Sequence, residues 1–141
     1  MPAALTLHAS AVAVTGRGLL ILGPSGSGKS ALALQMIGQG AGLIADDRTR
    51  LTRAGDAVTL ACPPDLSGLI EARGLGLLRA PAHPPAPLAL VVDLGAPETA
   101  RFPDPREIDL LGATFPLVGG IAAAHLGPAL ALFLAHGRAA P

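Results

Sequence analysis

Tryptophan and tyrosine are absent from this chain, and its aromatic residues are limited to Phe102, Phe115 and Phe133. Half of the residues are apolar, chiefly Ala, Leu and Val, so the core is left to aliphatic side chains. Cys62 is the one cysteine, which excludes an internal disulfide, and no Cys/His grouping has the spacing of a zinc site. Beside Pro63-Pro64 it reads as a small buried filler. Neither charge dominates: ten basic and ten acidic residues cancel, which argues against a polyanion-binding surface and a nucleic-acid partner. No apolar run reaches membrane-spanning length free of Gly, Pro or charge, and no basic segment opens the chain. The expectation is a cytoplasmic protein without a membrane partner. Lysine is nearly absent as well. Lys29 is the only one.

That single lysine sits in Gly23-Pro24-Ser25-Gly26-Ser27-Gly28-Lys29-Ser30, the G-x-x-x-x-G-K-S spacing of a phosphate-binding P-loop (Walker A). The apolar run 19–22 before it predicts a strand, and the run 31–37 after it predicts a helix starting near Lys29. Glycines let backbone N–H groups curl around a phosphate, and the helix N-terminus points its positive end at the same place. Lys29 would reach the β- and γ-phosphates, while the Ser30 hydroxyl suits the accompanying Mg²⁺. Phosphates are read this way; the base is not.

The length of 141 residues suits one domain, 1–141, of α/β class with a mixed sheet and few helices. Loose alternation over 5–14 predicts a strand or two, with a turn at 15–18 leading into the strand before the glycine loop. A capping turn at 38–42 precedes a short buried strand, 43–45, which ends at Asp46-Asp47, the first acidic residues of the chain. Residues 48–60 read as a hairpin turning at 54–56. Residues 66–78 read as a short helix leading to a loop and strand, and 80–87 as a proline-rich loop. The apolar run 88–94 reads as a central strand carrying Asp93, and 95–106 as a polar loop. One or two strands come next at 108–118, then a helix over 121–136 broken near Gly127-Pro128.

A phosphotransferase needs a carboxylate beside the metal, usually at the C-terminal edge of an apolar strand. Asp46-Asp47 and Asp93 both qualify. A doubled pair could divide the work, one carboxylate holding Mg²⁺ through water and the other taking a proton from an incoming hydroxyl. Glu71 could reach the metal and Arg73 could neutralise phosphate charge, with Gly74 and Gly76 allowing close approach. His8 and Arg101 are weaker candidates, the first in a strand-like run and the second in a proline-rich loop. His83, His125 and His136 read as incidental.

The series His8, Gly23–Ser30, Leu43-Ile44-Ala45-Asp46-Asp47-Arg48 and Leu69-Ile70-Glu71-Ala72-Arg73-Gly74-Leu75-Gly76 resembles the C-terminal catalytic domain of HPr kinase/phosphorylase, in a short single-domain form. The family's P-loop, A-D-D element and E-x-R-G-L-G stretch occur here in order. The resemblance runs from about His8 to Arg101. It implies an HPr kinase-like fold and a kinase that moves the γ-phosphoryl group of ATP onto a serine of the phosphocarrier protein HPr. It implies that Gly23, Pro24, Ser25, Gly26, Ser27, Gly28, Lys29 and Ser30 cradle the nucleotide and that Ser30 and Glu71 hold Mg²⁺. Asp47 becomes the base, with Asp46 beside it, and His8 and Arg101 match active-site positions. A homo-oligomer is a further expectation. The late P-G-R-N-like segment tied to the reverse, phosphorolytic direction has no counterpart in this sequence. Two rival readings are a nucleotide- or phosphate-sensing module without transfer and a P-loop small-molecule kinase.

Overall fold

Strand β3 (Arg17–Leu22) shows how the sequence builds the molecule: its side chains alternate between two buried faces. Leu20 points into one apolar cluster, Leu19 and Ile21 into the other. In β2 (Ser10–Val14), Ala11 and Ala13 share the first cluster and Val12 the second. A sheet covered on both faces needs such continuous apolar strands. The computed structural model describes residues 3–139.

The remaining elements in chain order are β1 (Ala4–Leu7) ahead of β2, then α1 (Lys29–Gly38), β4 (Gly42–Ala45), β5 (Thr49–Ala54), β6 (Ala57–Ala61), β7 (Leu69–Ala72), β8 (Gly76–Arg79), β9 (Ala86–Pro97), β10 (Arg106–Leu110), β11 (Ala113–Gly120) and α2 (Leu126–His136). Nine strands form one mixed sheet in the order β1-β5-β6-β9-β3-β2-β4, with β11 also on β9 and β10 on β11. Strand β9 is the shared member. Ala86 and Pro87 pair antiparallel with β6, Leu88 to Asp93 pair parallel with β3, and Val91 to Asp93 pair parallel with β11. The β7–β8 hairpin is separate. One face of the sheet packs on both helices and Ile70 of β7, through Leu32, Met36, Leu126, Leu130 and Leu134. The other face closes against the β5–β6 and β10–β11 hairpins through Leu51, Leu60 and Phe115.

The expected strand–loop–helix unit around Lys29, the short strand ending at Asp46 and the hairpin turning near Gly55 are all present. Three expectations are corrected. Residues 66–78 form no helix: a single 3-10 turn, Pro64–Leu66, ends there and the β7–β8 hairpin follows. Gly68, Gly74 and Gly76 have φ of 72°, 95° and 111°, which a helix cannot contain. Strand β9 runs on past Asp93 to Pro97, shortening the loop placed at 95–106. Helix α2 begins at Leu126 instead of spanning 121–136 with a break, and Pro128 lies in its first turn, where a missing N–H has no helical acceptor to lose.

Candidate active site

The loop from Gly23 to Gly28 joins β3 to α1, and its shape is local in origin. Ser27 N–H donates to the Pro24 carbonyl at 3.0 Å, and Gly26 and Gly28 take φ of 81° and 99° with open space where a side chain would stand. At Gly23 a β-carbon would run into the Ser27 hydroxyl, so the loop can close this tightly only with glycine there. Lys29 is the first residue of α1 and only 8% exposed. Its Nζ donates back to the carbonyls of Gly23 and Pro24 at 2.7 and 3.1 Å. Among the described residues no carboxylate pairs with this buried ammonium. The Ser27 hydroxyl is buried without a hydrogen-bond partner.

Facing the loop, β4 ends at Ala45 and delivers Asp46 and Asp47 to different environments. Asp46 is 5% exposed and accepts three hydrogen bonds. Ser10 and Ser30 donate their hydroxyls to Oδ1 at 2.6 and 2.7 Å, and the Glu71 N–H donates to Oδ2 at 3.0 Å. The carboxylate therefore ties β2, the first turn of α1 and β7 together. Asp47 is exposed, with φ of 68°, and the Arg48 N–H donates to the Asp46 carbonyl at 2.8 Å across it. His8 Nε2–H donates to Asp47 Oδ1 at 2.6 Å. His8, Ser10, Ser30 and Asp47 rim a cleft of about 520 Å³ that also takes in Ser25, Gly26, Gly28, Lys29, Glu71, Arg73 and Leu75, with Asp46 buried behind Ser10 and Ser30.

The residues picked from the sequence are thus mostly gathered in one place: the glycine loop, Lys29, Ser30, Asp46, Asp47, His8 and Glu71. Arg101 is not among the residues that line the cleft. It lies exposed on the 98–105 loop with its guanidinium 5.1 Å over the Phe102 ring. Asp93 is also absent from the lining; its Oδ1 accepts the Gly95 N–H at 2.8 Å within β9. Ser10, fully buried, is the participant that sequence reasoning missed. Cys62 is half-buried against the core, and that partial burial, with Asp65 and Asp46 nearby, pushes its thiol pKa up.

Fold and cleft together define a mixed α/β domain in which a glycine-rich strand-to-helix loop confronts a pair of acidic residues. The chain belongs to the HPr serine kinase C-terminal domain family, whose model matches residues 1–83. It is 48% identical over 75 residues to the HPr kinase/phosphorylase of Cupriavidus necator and 50% identical over 74 residues to that of Burkholderia lata. Each match covers 52% of this chain and 23% of the relative, so the shared stretch is under a quarter of those proteins' length. The HPr(Ser) kinase/phosphatase structure from Coxiella burnetii superposes with a TM-score of 0.79 at 25% identity, covering 93% of both chains. The mixed sheet with only two helices among the described residues agrees with that fold. No helix among them is long and apolar enough to cross a membrane.

Proposed function

We propose that this chain carries a cytoplasmic protein serine kinase domain, dependent on ATP and Mg²⁺, that transfers the γ-phosphoryl group to a serine of HPr. The carrying observation is the opposition of two chemistries across one cleft: the Lys29 loop on one wall and the exposed Asp47–His8 pair on the other.

The residues present fit a triphosphate. Lys29 offers a buried ammonium whose partners are neutral carbonyl oxygens, and Ser27 offers an orphaned buried hydroxyl. Both gain from an anion held by the loop's N–H groups and the N-terminus of α1. They fit Mg²⁺ as well, since Ser30 and Glu71 supply hard oxygen donors. Phosphate oxygens and water would complete the Mg²⁺ shell. Bound there, Mg²⁺ would neutralise charge on the phosphate oxygens.

In this reading Asp47 takes the proton of the acceptor serine as its oxygen bonds to the γ-phosphorus and the bond to ADP breaks. His8 orients the Asp47 carboxylate through the 2.6 Å bond. Lys29 stabilises charge on the transferred group, and Asp46 holds Ser30 in place. In the reverse direction, carried by the relatives' name phosphorylase, Asp47 would return the proton. Self-association of the domain belongs to the same proposal.

The test is transfer from γ-labelled ATP to purified HPr with Lys29→Ala and Asp47→Ala as controls. Asp47→Ala should cut transfer by about 10²–10⁴-fold while ATP still binds. Lys29→Ala should lose both. Wild-type protein that binds ATP tightly but labels no HPr would defeat the assignment of acceptor. Equal transfer by Asp47→Ala would defeat the assignment of base.

A further inference from the structure

Ser10 is unexplained by packing. Its side chain is 0% exposed on β2, flanked by Ala9 and Ala11, where alanine would fill the same space without a polar atom to satisfy. The register of the sheet accounts for its partner. Strands β2 and β4 are antiparallel with Ala11 opposite Ala45, so one step further Ser10 stands across from Asp46. Its hydroxyl donates to Asp46 Oδ1 at 2.6 Å, the same oxygen that accepts the Ser30 hydroxyl at 2.7 Å.

That shared oxygen has a chemical consequence. Ser30, by giving its proton to Asp46, keeps both lone pairs of its oxygen available to a cation. Asp46 Oδ2 meanwhile accepts the Glu71 N–H at 3.0 Å, which fixes the start of the hairpin carrying the Glu71 side chain to the cleft. Asp46 therefore sets the position of both oxygen donors assigned to Mg²⁺. Ser10, which also lines the cleft, hydrogen-bonds Asp46 but neither of those donors.

We propose that Ser10 is a positioning residue for the Mg²⁺-bound nucleotide, acting through Asp46 on Ser30 and on the β7 backbone. The inference rests on the assignment of Ser30 and Glu71 to Mg²⁺. Groups that orient metal ligands from behind commonly govern metal affinity by about 10–100-fold.

The experiment is ATP binding by calorimetry, with and without Mg²⁺, for wild type, Ser10→Ala, Ser10→Cys and Ser10→Thr. The ratio of the two affinities is the readout. In Ser10→Ala that ratio should fall by about 10–100-fold, because the loss with Mg²⁺ exceeds the loss without it. Ser10→Thr, which keeps the hydroxyl, should restore it. Ser10→Cys, similar in volume but a weak donor, should fall with alanine, which separates the hydrogen bond from packing. An unchanged ratio in Ser10→Ala overturns the inference alone. So does an equal loss with and without Mg²⁺ that threonine does not rescue. A wild-type protein that gains nothing from Mg²⁺ overturns the metal assignment, and this inference with it.

Discussion

Non-glycine residues with left-handed backbone are few among those described: Thr15, Leu111 and Asp47, at φ of 51°, 55° and 68°. Thr15-Gly16 and Leu111-Gly112 join β2 to β3 and β10 to β11, and the type I′ hairpin turn that both adopt demands positive φ at both positions. Asp47 has no such excuse. It closes a three-residue turn at the end of a buried strand, a strained arrangement for a residue with a side chain. The consequence is that Asp46 turns inward and Asp47 outward, so two neighbours in sequence do unlike jobs. The doubled carboxylate after an apolar run was legible as a site, but not this division, because it depends on a backbone dihedral. Ser10 was illegible for another reason: its partner lies 36 residues away and only sheet register brings them together. Glu98 carries the pH prediction. The Ala100 N–H first, then the Thr99 N–H and Arg106, hold its carboxyl below the usual range. A depressed folded value means that its contribution is complete above the unfolded glutamate pKa of about 4.3 and is lost as pH falls through the folded value. In an NMR titration, Glu98 should therefore titrate below the unfolded glutamate value of about 4.3, and the 98–106 loop should loosen only in that acidic range.

Among elements, the β7–β8 hairpin is the one whose sequence imitates another structure, and it also matters most to the cleft. The segment 66–78 reads as a short helix from its sequence, yet Gly68, Gly74 and Gly76, all with positive φ, exclude one. The Leu75 N–H donates to the Ala72 carbonyl at 2.9 Å, making a tight turn with Gly74 at its third position, where φ is 95°. A side chain meets open space there, so strain is its sole penalty. Gly74→Ala should cost about 1–2 kcal/mol, confined to the hairpin. Hydrogen exchange should accelerate across Leu69–Arg79, including the Glu71 amide bonded to Asp46, while β3 amides stay protected. Slowed exchange at Glu71 would contradict this. The α1 unit was legible for the opposite reason, since its glycines, lysine and flanking apolar runs are all local signals.

On the scale of the molecule, the family resemblance and the architecture have different extents. The resemblance read from the sequence runs to about Arg101, but the family model stops at residue 83, before β9. Strand β9 nevertheless lies between β6 and β3 and carries β11 on the same edge as β6. Leu88, Leu90, Val91 and Val92 contribute to both apolar clusters. The class of fold could be read from alternating apolar runs, but pairing across this distance is long-range and leaves no local mark. A fragment of residues 1–85 should accordingly lack a cooperative melting transition, with a collapsed spectrum by NMR, whereas 1–139 should melt as one unit. The same placement has a meaning during synthesis. As the chain leaves the ribosome, every strand that binds the phosphate loop's neighbourhood emerges with its central partner still inside the tunnel. The nascent chain must carry the open edges of β3 and β6 until Ala86 and the rest of β9 have cleared. That interval is when pairing with a second nascent chain competes with correct closure, and when a trigger-type chaperone would have the most apolar edge to hold.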